Sequence, residues 1–504
     1  MKLFGEILSI SIQKEGKWNP NAGEVSFEGN KIYLQTNCAS WIKIEWATKF
    51  SPFARVLGDA WERSYGDLFW KPIAEPAFHP WYFSVVEGDT TRCFGVKTGC
   101  NAFCSWTLTT NCITLLMDVR CGCVDTQFAG RKLMLAELVS LQKQGGVYET
   151  IHEFCKKMCD NPVLPQEPFY GGDDWYDNYG NNSFEKIVSH VKKLAECAKG
   201  LKNRPYQTVD AGWQTCHNWY LNDEYIGGPF TGCNSKFKDM KAMSEAIREY
   251  DVKPGIWFRP LETVEYVPDE AILRRVKNVK YLDPTHPFTI EKADEDLRRL
   301  REWGYELIKH DFASVDIFGH YGPFMTQSVA PKGEWAFFDR SKTSAEINKE
   351  YYLRTAESVD GALINACNTF SHLSAGIFPV FRIGDDTSGY DHKRTVEMGV
   401  NTLAFRGMQH GAFYAVDPDC IAFTSKLEWE QIEQWWSLLK SAGTSLIVSI
   451  EDRCYNTRVR DAVTEAFQNA SVQREVAKPI DWFDTLTPKK WETFEGEKTI
   501  TWKY

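Results

Sequence analysis

The stretch Ile308-Lys309-His310-Asp311-Phe312 sets a cation and a carboxylate two residues apart at the end of a short apolar run, just after a Trp303-Gly304 turn. Side chains alternate along an extended strand, so Lys309 and Asp311 share one face while Ile308 and His310 take the other. A cation beside a carboxylate favours its ionised form, which suits a nucleophile. The same two residues would also serve as an ordinary ion pair closing a strand. A second carboxyl comes from Arg382-Ile383-Gly384-Asp385-Asp386, where alternation groups Arg382, Gly384 and Asp386 on one face and leaves Asp385 for a supporting role. Gly384 leaves room for a ligand or a neighbouring backbone. Two carboxyls facing a sugar from opposite sides are the apparatus of glycoside hydrolysis, with retention at a separation of about 5–5.5 Å and inversion at a wider one.

Both segments need a scaffold that presents strand ends to one cavity. From Asn161-Pro162-Val163-Leu164-Pro165 onward, β-prone runs alternate with helical stretches, which predicts βα units and a parallel sheet. Candidate strands end near Asp174, Asp210, Phe258, Asp311, Cys367 and Asp386, with weaker ones near Ala412 to Val416 and Ser445 to Ser449. Eight strands predict an α/β fold, a (β/α)8 TIM barrel over 161–450, whose chemistry lies at the C-terminal strand ends. Residues 1–160 read as an N-terminal β-sandwich plus a linker helix, the apolar spacing from Arg131 to Met158 being helical. Residues 451–504 read as a short C-terminal β module with strands at Ile480 to Phe483 and Thr499 to Trp502. Within the sandwich, Gly58 to Trp70 is too charged and aromatic for a plain strand and is expected to present rings to a ligand.

Composition removes several classes. The net charge is −10 and no basic cluster tracks phosphates, so nucleic acid and anionic membrane are excluded as partners. No run of about 18 apolar residues spans a bilayer. Fifteen cysteines are an odd, scattered set, and the N-terminus has no apolar leader, which together favour reduced thiols and a cytoplasmic protein. Cys121-x-Cys123 and Cys155-x3-Cys159 lack a second pair with ligand spacing, so neither metal nor cofactor is expected. The 19 Trp and 21 Tyr fit a sugar-binding protein, although most must serve the core.

With those residues in place, Ile308 to Phe312 resembles the K-x-D-F nucleophile strand of glycoside hydrolase family 36, in the clan of α-galactosidases. Cys367 to Asp386 resembles the same family's run from a cysteine-bearing strand to R-I-G-x-D. Further similarity lies in Lys253-Pro254-Gly255-Ile256-Trp257, Val209 to Gln214, Asp417-Pro418-Asp419 and the loop around Trp61. The resemblance spans roughly residues 50 to 450. It implies a retaining exo-glycosidase with Asp311 as nucleophile and Asp386, tucked against aromatic walls, as acid/base. It also implies that Asp210, Trp257, Lys309, Cys367 and Arg382 surround the terminal sugar, that Trp61 or Trp70 closes the site, and that Lys309 keeps Asp311 ionised.

Two departures from the family bear on specificity. Where members often carry two acids before Gly-Trp, here the second is Ala211, and Asp173 or Asp174 is a candidate to compensate. The C-terminal segment is too short for a full sandwich, leaving a reduced module or a homo-oligomer contact. Cys216, His217 and Trp219 in the second βα loop are candidates for shaping selectivity. Asp316, Asp391 and His392 read as caps, and Asp417 and Asp419 either hold Arg382 or touch substrate. The expected ligand is a glycoside or oligosaccharide with a terminal α-linked sugar, α-galactosides first. The alternatives are an α-N-acetylgalactosaminide or α-glucoside, transglycosylation, or a carbohydrate-binding protein without turnover.

Overall fold

The structure, a computed structural model, describes residues 4–216 and 227–503. His217 and Trp219 lie outside the described residues.

The N-terminal part is a sandwich of two antiparallel sheets of six and seven strands. Strand Trp41–Ala47 shows the period-2 pattern that one buried face demands, with Ile42, Ile44 and Trp46 inward. Lys132–Gln144 is a strand, not the start of a helix, and pairs antiparallel with Lys31–Gln35 and Thr90–Val96. A bulge between Met134 and Ala136 shifts the alternation by one residue, which is why Leu133, Leu135, Ala136 and Leu138 imitate helical spacing. The helix itself is confined to Val147–Met158.

The barrel strands are β1 (Tyr170–Asp173), β2 (Tyr206–Val209), β3 (Lys253–Phe258), β4 (Leu307–His310), β5 (Leu363–Ala366), β6 (Val380–Arg382), β7 and β8 (Leu446–Ile450). All neighbours are parallel, and β8 pairs back onto β1. β7 comes in two halves: Ala415–Asp417 pairs with β6 and Cys420–Phe423 with β8. Pro418, which has no N–H, and Asp419 at φ 78° separate the halves, so the ring closes through a kinked strand. A small antiparallel sheet, Glu262–Thr263, Ile272–Val276 and Val279–Leu282, is inserted after β3. Helix Thr457–Ala470 packs on β8, β1 and helix Phe184–Cys197, so the barrel's outer layer runs on past Ile450. The C-terminal sheet then forms from Lys478–Pro479, Lys490–Thr493 and Gly496–Thr499, with Ile480 to Phe483 in a bend rather than a strand.

The loop from Gly58 to Trp70 ties sandwich to barrel. Ser64 bridges the exit of β6, donating to Ile383 O and accepting from the Asp385 N–H, each at 2.9 Å. Gly384 stands there because a Cβ would lie 2.6 Å from the Thr402 side chain, so its room is used by a neighbouring helix. Trp61 and Trp70 are both buried. The Trp61 indole donates to Thr326 O (2.9 Å), and Trp70 stacks on Phe483 (4.8 Å). Beneath the loop, fully buried Arg406 pairs with Asp59 (2.8 Å) and donates to Glu62 O and Ile383 O. Arg406→Met strands the Asp59 carboxylate and is expected to lower unfolding stability by about 3–5 kcal/mol in a denaturant titration. Adding Asp59→Asn should restore part of it, and a loss below about 1 kcal/mol would count against this docking role.

Candidate active site

Asp311 follows β4 and is only 9% exposed. Its Oδ2 accepts the Trp257 indole N–H (3.1 Å) from β3, and its Oδ1 accepts the Phe312 N–H (2.8 Å). Phe312 adopts φ 62°, a left-handed turn that folds its N–H back onto the carboxylate. With the Asn368 amide oriented to satisfy both neighbours, its nitrogen donates to Asp311 Oδ1 (2.8 Å) and its oxygen accepts from Arg63 Nε (3.1 Å). Three fixed donors therefore aim this carboxylate.

Lys309 and Asp311 both line the cavity, but the ion pair expected between them does not form. The Lys309 ammonium instead donates to Asp173 (2.9 Å) from β1 and, by a short contact, to Asp210 after β2. Burial alone would depress the Lys309 ammonium, yet the Asp173 and Asp210 charges outweigh it and hold its pKa well above the ordinary lysine value. Burial likewise opposes ionisation of Asp173, but Lys309 wins and its pKa falls below the usual range. Burial and the Asp173 charge push Asp210 up, because one ammonium neutralises one carboxylate first. Asp174 sits behind, accepting the Asp210 N–H (2.8 Å), and burial followed by the Asp173 charge raises it to about 7. Neither Asp173 nor Asp174 lines the cavity, whereas Ala211 does.

In the same cavity, Asp386 Oδ1 accepts from Arg63 (3.3 Å) and Arg382 (3.2 Å), and its side chain is 40% exposed. Asp386 therefore lies between two guanidiniums at the solvent edge, in a cavity that Tyr176, Tyr179 and Tyr390 also line. Arg382 is anchored by Asp419 (2.5 Å), while Asp417 accepts from Asn365 (2.8 Å). Neither acid of the Asp417-Pro418-Asp419 kink lines the cavity, so they hold Arg382 and β5 rather than a ligand. Asp385 is gripped by Arg63 (2.7 Å) and Arg394 (2.5 Å) and lines the cavity beside Asp386, since the strand whose alternation would have parted them ends at Arg382.

These groups surround one cavity of about 960 Å³, lined among others by Asp210, Ala211, Trp257, Lys309, Asp311, Cys367, Arg382 and Asp386. The Cys367 thiol is buried, and burial with the Asp311 charge raises its pKa far above a free thiol's. Trp61 and Trp70 do not line the cavity: the Trp61 indole is spent on Thr326 and on Trp81 and Phe103, and Trp70 packs on Trp482 and Phe483. The sandwich loop instead contributes Arg63 and Tyr65. Sequence reasoning missed Arg63 and Asn368. The charged character of the Gly58 to Trp70 loop for Arg63, and the place of Asn368 directly after Cys367, were the available signals. Asp316 is no simple cap: it is buried and takes both Nε and Nη2 of Arg259. Asp391 does cap a short helix, accepting the Arg394 N–H (3.2 Å), and His392 bonds Gln434. Cys216 is half-buried and off the cavity.

Among the described residues no group of three His, Cys, Asp or Glu is arranged to hold a metal, and no helix is long and apolar enough to cross a membrane.

Fold and cavity together define the class: a (β/α)8 barrel whose strand-end carboxylates face a single cavity, with an N-terminal β-sandwich lending a loop to its mouth. No family model and no curated protein matches the chain by sequence. Solved structures to which the chain is similar in fold include α-galactosidases. TtGalA from Thermus thermophilus, in complex with p-nitrophenyl α-D-galactopyranoside, superposes with a TM-score of 0.64 at 15% identity, over 98% of this chain and 99% of that one. The GH36 α-galactosidase AgaA from Geobacillus stearothermophilus gives 0.58 at 12% identity, over 94% and 74% of the two chains. The galactosidase domain of the α-galactosidase-sucrose kinase AgaSK gives 0.56 at 13%, over 93% and 71%.

Proposed function

We propose that the chain is a retaining, exo-acting glycoside hydrolase that removes terminal α-linked sugars, α-galactosides first among them, by double displacement. The observation that carries this is the contrast between two carboxyls in one cavity. Asp311 is buried and fixed by three donors, as a nucleophile requires, whereas Asp386 stands at the solvent edge, where a proton can be exchanged. Asp311 attacks the anomeric carbon as Asp386 protonates the departing oxygen; Asp386 then deprotonates the water that releases the sugar. Asp210, Lys309, Trp257, Cys367 and Arg382 supply polar and aromatic contacts for the terminal ring. Support also comes from fold relatives solved with galactosides, namely TtGalA with p-nitrophenyl α-D-galactopyranoside and with stachyose.

Ala211 favours a second reading. A methyl group in the cavity wall leaves a neighbouring hydroxyl without a carboxylate partner and gives space for a different substituent, so an α-N-acetylgalactosaminide, an α-glucoside or transfer to a sugar acceptor is the alternative. A p-nitrophenyl α-glycoside panel decides. The expected result is highest kcat/KM on the galactoside. Turnover confined to another sugar would overturn the galactose assignment, and tight sugar binding with no turnover on the whole panel would indicate a binding protein.

A further inference from the structure

Six cationic side chains line the cavity, and among the described residues five have a carboxylate partner: Arg63 and Arg394 on Asp385, Arg259 on Asp316, Lys309 on Asp173, and Arg382 on Asp419. Arg274 has none. Its Nη2 reaches only the Asp316 carbonyl oxygen (3.4 Å), and its Nε is buried without a hydrogen-bond partner. The Asp316 carboxylate beside it is already taken by Arg259.

Three local features hold this charge in place. Arg274 lies on the small sheet after β3, where the register skips Leu273, pairing Ile272 with Leu282 and Arg274 with Tyr281. Such a bulge re-aims a side chain. The guanidinium then lies 4.0 Å from the centre of the Tyr281 ring, which also lines the cavity. Opposite, Gly319 has φ +77°, and a Cβ there would stand 2.6 Å from Arg274 Nη1, so the glycine clears the guanidinium's position.

The inserted sheet is not part of the ring of strand ends that hold Asp210, Lys309 and Asp311, so Arg274 belongs to the outer part of the cavity, where a leaving group would extend. A cavity of about 960 Å³ is near the top of the roughly 300–1,000 Å³ range for small-molecule sites and exceeds one sugar ring. We propose that Arg274, backed by Tyr281, forms a leaving-group subsite for an anionic substituent: a carboxylate, sulfate or phosphate ester on the aglycone or neighbouring sugar. Arginine suits the planar, two-oxygen face such groups share. This rests on the reading that the cavity holds a glycoside.

The test uses phenyl α-galactosides carrying 4-carboxylate, 4-sulfate or 4-phosphate, each against the neutral 4-carboxamide, with kcat/KM measured for the wild-type protein, Arg274→Met and Arg274→Lys. Dissociation constants for the matching hydrolysis-resistant thioglycosides are measured by calorimetry. In the wild type at low salt, at least one anion is favoured over the neutral compound by about tenfold, the scale of one charge-assisted hydrogen bond. The ratio falls toward one in Arg274→Met, recovers partly in Arg274→Lys and shrinks with added salt. The ranking of the three anions identifies the group. A ratio near one for all three in both assays, a ratio unchanged in Arg274→Met, or thioglycosides that do not bind would each overturn the proposal. Absent turnover with the thioglycoside ratio intact would overturn only the hydrolase reading.

Discussion

Asp311→Ala is expected to lower kcat by at least about 10⁴-fold, the scale on which removal of a nucleophile acts, with little change in fold. The stability effect should be small because Asp311 borders the cavity, where water can accept from the three donors it leaves, the Trp257 indole, the Phe312 N–H and the Asn368 amide. Asp386→Ala should cost less on a p-nitrophenyl substrate, whose leaving group needs little protonation, and far more on an alkyl glycoside. Azide separates the two roles by product. In Asp311→Ala, azide displaces p-nitrophenolate directly from the α-glycoside, forming the carbon–nitrogen bond from the opposite face and giving the β-glycosyl azide. In Asp386→Ala, azide attacks the covalent enzyme intermediate and gives the α-glycosyl azide, with the Asp311 carboxylate released. Proton NMR of the anomeric signal reads the difference, and interchanged products would reverse the assignment.

Lys309→Met carries the second large effect. The ammonium is the shared counter-charge of Asp173 and Asp210, with all three side chains less than a tenth exposed. Removing one partner of a buried ionic cluster costs about 3–5 kcal/mol, since the remaining charges are stranded in low dielectric. The variant's two carboxyls then have folded-state pKa values raised above those of the unfolded chain. Groups raised in this way contribute most below the unfolded pKa, and that contribution is lost as pH rises through the folded value. The deficit relative to the wild type is therefore smallest near about pH 4 and grows toward about pH 8. Denaturant unfolding at several pH values measures it, and a deficit independent of pH would show that Asp173 and Asp210 do not depend on Lys309. Turnover should fall as well, because Asp210 and Lys309 both line the cavity floor.

The alternation rule carried far on strands. It put Lys309 and Asp311 on one face, and both line the cavity, because side-chain direction in a strand is a local property of the backbone. It did not separate Asp386 from Asp385, which both line the cavity, because the strand ends at Arg382 and alternation does not extend beyond it. It failed at Leu133 to Leu138, where a bulge inserts one residue and shifts the period. The eight-strand barrel was legible for the same local reason, since each βα unit announces itself in its own thirty-odd residues.

What the chain could not announce is which partners meet across the barrel. Lys309 had an acid two residues away, yet its ammonium goes to Asp173 and Asp210, 136 and 99 residues distant in sequence, because β1, β2 and β4 converge on one floor. The Gly58 to Trp70 loop was marked by its rings, but its tryptophans are used in docking, and Arg63 and Tyr65 are what reach the cavity. Residue types and strand faces follow from sequence because they depend on a few consecutive φ/ψ angles. The identity of a charge's neighbours, and so the work each carboxylate can do, depends on how distant strand ends are brought together, and only the tertiary structure decided that.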